Sequence, residues 1–108
     1  MLSFVETPVF SRARDVYLSD EALAAIETYL SCEPDAGDVI PGTGGVRKLR
    51  WAGTGRGKRG GLRVIYYLRL SEGEIWLITL YAKNVRENIS AQVLRRIREE
   101  IDRGQDDR

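Results

Sequence analysis

The chain contains no histidine and a single cysteine, Cys32. Without imidazole there can be no His-based metal site, no zinc finger, and no triad or general base that relies on a ring nitrogen near neutral pH. One thiol cannot close an intramolecular disulfide. That usage fits a reducing compartment, and a cytoplasmic location is expected. Long apolar runs are missing too: the longest, residues 75–82, is interrupted by Thr79. A membrane span needs about twenty such residues. Near the start, Glu6 and Pro8 break what would be the apolar core of a secretory signal. What remains suits one folded domain over residues 1–108, with 43% hydrophobic and 31% charged side chains. A core of that size needs neither metal nor disulfide staples.

Acid is absent locally. The formal net charge is only +1, yet residues 1–40 hold two basic and eight acidic side chains. Residues 41–70 hold eight basic ones (Arg47, Lys48, Arg50, Arg56, Lys58, Arg59, Arg63 and Arg69) and no carboxylate. The remainder is nearly balanced. A segment of one sign focuses a positive field, and the complementary ligand is a polyanion. No carboxylate lies near this face by sequence, which disfavours a nuclease that holds metal ions between Asp and Glu. No cofactor is expected.

Periodicity places the charges on structure. Residues 2–10 read as a first strand, with Pro8 marking its end at a sheet edge. A short helix is expected over 11–17. A clearer one follows, with Ser19 as cap, Asp20 and Glu21 in its first turn, and Leu23, Ile26 and Leu30 on one face; Pro34 ends it. Residues 35–45 read as loop. Strand character returns at 46–51, where alternation sends Leu49 and Trp51 inward and Lys48 and Arg50 outward. Two strands, 62–70 and 74–83, form a hairpin about Glu72 and Gly73. In the register we expect, Val64, Tyr66, Leu68 and Leu70 share a core face with Trp76, Ile78, Leu80 and Ala82. The other face then carries Arg63, Ile65, Tyr67 and Arg69 beside Leu77, Thr79, Tyr81 and Lys83. This phase needs a bulge or a three-residue turn near Gly73. A last helix starts at Ser90, with Ile89 and Leu94 as a hydrophobic staple, and buries Leu94, Ile97 and Ile101. The class is α+β: a small antiparallel-rich sheet with N-terminal helices and a C-terminal helix.

Residues 55–60 spell G-x-G-x-x-G, but a strand follows where a dinucleotide site needs a helix, and Arg59 stands where a phosphate loop needs Ser or Thr. The segment reads better as a basic finger. Its glycines allow close backbone approach to a phosphate chain, and Arg56, Lys58 and Arg59 supply charge. Trp51, Tyr66 and Trp76 are expected in the core, whereas Tyr67 and Tyr81 face the cations, where stacking, proton transfer and packing are all open to them. Cations, one or two phenols and no imidazole can still cleave RNA if a 2′-hydroxyl is driven onto the adjacent phosphate. The cations would stabilise charge growing on the phosphorane oxygens, and alignment for in-line attack would supply the rest.

Three runs carry a family likeness: residues 37–50 (GDVIPGTGGVRKLR), residues 57–67 (GKRGGLRVIYY) and residues 80–84 (LYAKN). With the FVETPVF opening and the YLSDE before the main helix, they resemble the HigB branch of the RelE toxin superfamily over roughly residues 3–101. The resemblance implies a β-α-α-β-β-β-α fold. It also implies a type II toxin that enters the ribosomal A site, cleaves mRNA there and is held inactive by a cognate antitoxin. Carried over residue by residue, it makes Lys48, Arg50, Arg63 and Lys83 catalytic, with Tyr81 as contributor. The C-terminal Tyr and the His–Glu pair of some relatives have no counterpart here, and the glycine loop is longer than the RelE form. Arg47, Arg56, Lys58, Arg59, Tyr67 and Arg69 are the expected contacts to RNA or ribosome. A non-catalytic RNA- or ribosome-binding module, an inactive homologue, or a ribonuclease acting on free RNA would show the same basic face.

Overall fold

The structure, a computed structural model, describes residues 2–52, 61–84 and 89–104. Five strands and three helices alternate along it: β1 (Ser3–Glu6), α1 (Pro8–Tyr17), α2 (Asp20–Cys32), β2 (Asp38–Val39), β3 (Val46–Trp51), β4 (Leu62–Arg69), β5 (Glu74–Ala82) and α3 (Ala91–Gly104). The sheet order is β1-β5-β4-β3-β2. β1 lies parallel to β5, and every other neighbouring pair is antiparallel. The α+β class and its helix placement are those read from the sequence.

Local chemistry sets the helix starts. Thr7 accepts a hydrogen bond from the Phe10 N–H at 3.1 Å, and Pro8 occupies the first helical turn, where its missing N–H costs nothing. The first strand is therefore shorter than the expected 2–10, and Pro8 opens a helix instead of closing a strand. Ser19 caps α2 through the Ala22 N–H, with Asp20 and Glu21 beside the positive end of the helix dipole. Ser90 does the same for α3 through the Val93 N–H. The loop expected over 35–45 contains the two-residue strand β2, too short to leave a pattern.

Both faces of the sheet are covered. On one, Phe10 from α1 and Ile26 and Leu30 from α2 pack on Leu49, Leu62, Val64, Tyr66, Ile75, Leu77 and Leu80. On the other, Leu94 and Ile101 from α3 pack on Val46, Ile65 and Ile78. Strands buried on both sides read as continuous apolar runs, which is why β4 and β5 alternate so poorly.

The register corrects part of the expected hairpin. From Leu62↔Ala82 to Ile65↔Thr79 it runs as expected, but a shift between Ile65 and Tyr66 then pairs Tyr66 with Leu77, Tyr67 with Trp76 and Arg69 with Glu74. Ile78 is left as the extra residue of a mid-strand bulge. Past it, Leu77 and Ile75 turn to the α1/α2 core, while Ile78 and Trp76 turn to the α3 side. The expected assignment of Trp76 and Ile78 to the Tyr66 face, and of Leu77 to the other, fails for this reason. Leu70, expected in the core, begins a 3₁₀ turn (Leu70–Glu72) and is 71% exposed. Gly73 closes that turn at φ +66°, a left-handed conformation that glycine adopts without steric cost.

Tyr66 and Arg47 fasten the segment between α2 and β3. The Tyr66 hydroxyl donates to the Pro34 carbonyl at 2.8 Å and accepts from the Gly37 N–H at 2.9 Å. Burial, ahead of any other cause, pushes that phenol above its usual pKa. A Cβ on Gly37 would stand 2.9 Å from the Tyr66 ring and 3.0 Å from the Lys48 carbonyl oxygen, so the approach needs glycine. Arg47 donates to the carbonyls of Gly37 at 2.7 Å and Asp35 at 3.2 Å.

Asp102 fastens the C-terminal end of α3. Its carboxylate accepts from the Tyr67 hydroxyl at 3.1 Å, from Arg69 Nε at 3.0 Å and from Arg98 Nη1 at 3.0 Å. The Arg69 side chain is only 10% exposed, and Glu74 and Glu72 stand 3.7 and 4.0 Å from its Nη1. Burial first, then the Asp102 charge and hydrogen bond, raise the Tyr67 pKa.

Two outcomes follow for stability. Asp102→Ala leaves a nearly buried Arg69 without its best partner and should lower the unfolding free energy by about 2–3 kcal/mol in urea titration. Because Tyr66 and Tyr67 ionise later in the folded chain than in the unfolded one, their contribution is intact at neutral pH. It is lost as pH rises above about 10, where unfolded phenols ionise. Stability measured across that range should fall less steeply in Tyr67→Phe than in the native chain.

Candidate functional site

Strand pairing gathers most of the expected catalytic set. Lys48 lies across from Ile65, Arg50 across from Arg63, and Arg63 across from Tyr81. Directly opposed residues of antiparallel strands project to the same face, so Lys48, Arg50, Arg63 and Tyr81 all stand on the α3 side of the sheet, at one end of it. This is the end before the bulge, where the expected register holds. Tyr81 also packs against the core beneath α3. Lys83 sits just past β5, where its N–H donates to the Gly61 carbonyl at 3.0 Å and ties the end of the strand to the start of β4.

Placing two arginines directly opposite each other costs a sheet stability, commonly by about 0.2–1 kcal/mol relative to neutral pairs. Lys48, Arg50 and Lys83 form no ion pair with any described residue. An anion bound there would offset the repulsion within such a row.

Beside the row lies an open cleft of about 400 Å³, lined by Ile40, Lys48, Ile65, Tyr81, Ile89, Ser90 and Leu94. One wall is β3, β4 and β5, another is the start of α3, and Ile40 comes from the turn after β2. The helix is tied to the Tyr67 and Arg69 end of the face through Asp102, and the cleft opens beside Lys48 and Tyr81. Sequence reading missed Ile40 and Ser90 as site residues and took Ile89 and Leu94 only as a staple. Their meeting with Lys48 depends on how α3 lies across the sheet, which no local pattern encodes. It also missed Asp38, which pairs across from Lys48 and brings a carboxylate to the edge of the cationic face.

Other expected contacts lie elsewhere. Arg47 alternates to the opposite face and holds the segment at 35–37. Tyr67 and Arg69 are engaged by Asp102 at the far end of the sheet, and the raised Tyr67 pKa keeps the phenol in its protonated form. All three side chains make hydrogen bonds within the fold. Arg56, Lys58 and Arg59 lie outside the described residues. Among the described residues no group of three or more Cys, Asp or Glu side chains could hold a metal ion, and no helix is long and apolar enough to cross a membrane.

A model of the RelE toxin of the RelE/RelB toxin–antitoxin system matches residues 4–103, from within β1 to within α3. The match covers the cationic strands β3 and β4, the Tyr81 end of β5 and both walls of the cleft. With that extent of the chain accounted for, this protein belongs to the RelE toxin family, the toxin half of a toxin–antitoxin pair.

Proposed function

We propose that this toxin is an endoribonuclease that cuts mRNA in the ribosomal A site, and that Lys48, Arg50, Arg63, Tyr81 and Lys83 perform the cut. The observation that carries the reading is the shared face: β3, β4 and β5 bring Lys48, Arg50, Arg63 and Tyr81 together beside an open cleft. The likeness of its KLR, LRV and LYAKN runs to the HigB branch adds support.

The chemistry follows from the groups present. A 2′-hydroxyl of the mRNA attacks the adjacent phosphorus, the 5′-oxygen leaves, and a 2′,3′-cyclic phosphate results. Negative charge grows on the non-bridging oxygens, and the Arg63 guanidinium, opposed to Arg50, offers planar paired donors to them. Lys48 and Lys83 add point charges on either side and fix the chain direction. Tyr81, across from Arg63, is the phenol placed to pass a proton. No step calls for a metal ion. The ribosome supplies what the protein lacks: it holds the codon taut, so that attacking and leaving oxygens fall in line. Both ribosome and antitoxin are cytoplasmic partners in this reading. The charge segregation along the chain, with eight carboxylates in residues 1–40 and none in 41–70, supports drawing RNA to the strands that carry the cations.

Arg63→Ala should cut turnover on programmed ribosomes by about 10²–10³-fold, the usual cost of losing one preorganised charge donor. Arg69→Ala, at the far end of the sheet, should leave turnover unchanged while lowering the melting temperature. Mapping of mRNA 5′ ends after expression reads the first effect directly. New in-frame ends that persist undiminished in Arg63→Ala would refute the assignment, and no new ends from the native chain would favour a binding module without catalysis.

A further inference from the structure

The groups assigned to the cut are four cations and a phenol: Lys48, Arg50, Arg63, Lys83 and Tyr81. At neutral pH ammonium, guanidinium and phenol groups hold their protons. Groups of these kinds stabilise a phosphorane and can protonate a leaving oxygen, but they are ill suited to take the proton from an attacking 2′-hydroxyl. A carboxylate is suited to it, being acceptor-only once ionised. We propose that Asp38 is the general base of the cleavage, facing Tyr81 as general acid across the bound phosphate. The inference rests on the function proposed above and adds a catalytic residue to it.

Strand register places Asp38 on the cationic face. It lies directly across from Lys48, which lies across from Ile65, so its side chain projects to the α3 side with theirs. Ile40, two residues on and therefore on the same face, lines the cleft with Lys48. The neighbouring row on that face is Arg50, Arg63 and Tyr81. Asp38 is the diagonal neighbour of Arg50, a separation of about 7–8 Å that long side chains span. Tyr81 stands on β5, three strands from β2 and so about 14 Å away between backbones. In-line displacement puts the attacking and leaving oxygens on opposite sides of phosphorus. A base on β2 and an acid on β5 flank a phosphate held by Arg50 and Arg63 in that sense.

Asp38 is exposed and enters no ion pair with a described residue, so its oxygens are open to an RNA hydroxyl. Its backbone is nevertheless held on both sides. Before it, the Gly37 N–H donates to the Tyr66 hydroxyl at 2.9 Å and the Gly37 carbonyl accepts from Arg47 at 2.7 Å. After it, the Ile40 N–H donates to the Val46 carbonyl at 2.8 Å, and the Ile40 carbonyl accepts from the hydroxyl of the fully buried Thr43 at 2.7 Å. A two-residue strand is thereby fixed firmly enough to aim a short side chain. In the reaction the 2′-hydroxyl gives its proton to the Asp38 carboxylate as the O2′–P bond forms. The P–O5′ bond breaks, and the 5′-oxygen takes the Tyr81 proton. Water then reprotonates Tyr81 and removes the proton from Asp38. One proton has passed from O2′ to O5′, leaving a 2′,3′-cyclic phosphate and a 5′-hydroxyl.

The test is single-turnover cleavage on programmed ribosomes by Asp38→Asn, its folding checked by thermal melting. Asn keeps the size and loses the basic oxygen, so cleavage should slow by about 10²-fold or more. With hydroxide left as the base, the rate of this variant should climb about tenfold per pH unit over about pH 6–8.5, where the native rate stays nearly level. An mRNA with sulfur in place of the bridging 5′-oxygen separates base from acid, because a thiolate leaves without needing a proton. That substrate should restore Tyr81→Phe towards the native rate and leave Asp38→Asn slow. A native rate from Asp38→Asn would overturn the proposal while the endoribonuclease reading stood. So would a slow Asp38→Asn with the native pH slope, or its rescue by sulfur as fully as that of Tyr81→Phe, since Asp38 would then only position Lys48. If the native chain fails to cut natural mRNA on ribosomes, the endoribonuclease reading falls first and the base with it.

Discussion

A strand whose side chains alternate between two buried faces has no freedom of register: a slip by one residue exchanges every contact it makes. In this protein that constraint is met twice within one hairpin. Between Leu62 and Ile65 the pairing of β4 with β5 delivers Arg63 and Tyr81 to the side bearing Lys48 and Arg50. Beyond it, the extra residue Ile78 resets the phase so that Ile75 and Leu77 still reach the core under α1 and α2. A hairpin of uniform phase would sacrifice either the cationic face or half the core. The bulge keeps both, consistent with the tendency of bulges to lie beside functional sites.

The remaining architecture keeps that face open at one end only. α3 needs its apolar stripe covered, and Leu94 and Ile101 find Val46, Ile65 and Ile78. Its far end is then pulled down by Asp102, which satisfies Tyr67, Arg69 and Arg98 together. The cations at that end, Arg69 and Arg98, are paired with carboxylates. At the other end Lys48, Arg50 and Lys83 form no ion pair with a described carboxylate, although Asp38 lies across from Lys48. Arg69, held by Asp102, and the arginines proposed to meet RNA thus lie at opposite ends of one face.

Much of this was legible in the chain. The cap residues Ser19 and Ser90, the outward phase of Lys48 and Arg50 on β3, and the burial of Tyr66 follow from local rules, and each stands in the structure. Trp76 was misplaced because an apolar run offers no alternation from which to detect a bulge. The hold of Asp102 on Arg69 and Tyr67 leaves no local sequence signal, because it is more than thirty residues away in the chain. Arg47 gave no hint that its partners would be backbone carbonyls at Asp35 and Gly37. Residues on the cleft wall were hidden for the same reason: Ile40 and Ile89 meet only through tertiary packing.

The central claim is that cations from neighbouring strands act on one phosphate. Single-turnover cleavage on programmed ribosomes by Arg50→Ala, Arg63→Ala and the double variant measures it most directly. Groups that share a phosphate are coupled, so the double variant should lose markedly less than the product of the two single losses, whereas Arg63→Ala combined with Arg69→Ala should multiply independently. Independent losses for Arg50 and Arg63, or coupling of Arg63 to Arg69 as strong as to Arg50, would contradict the account.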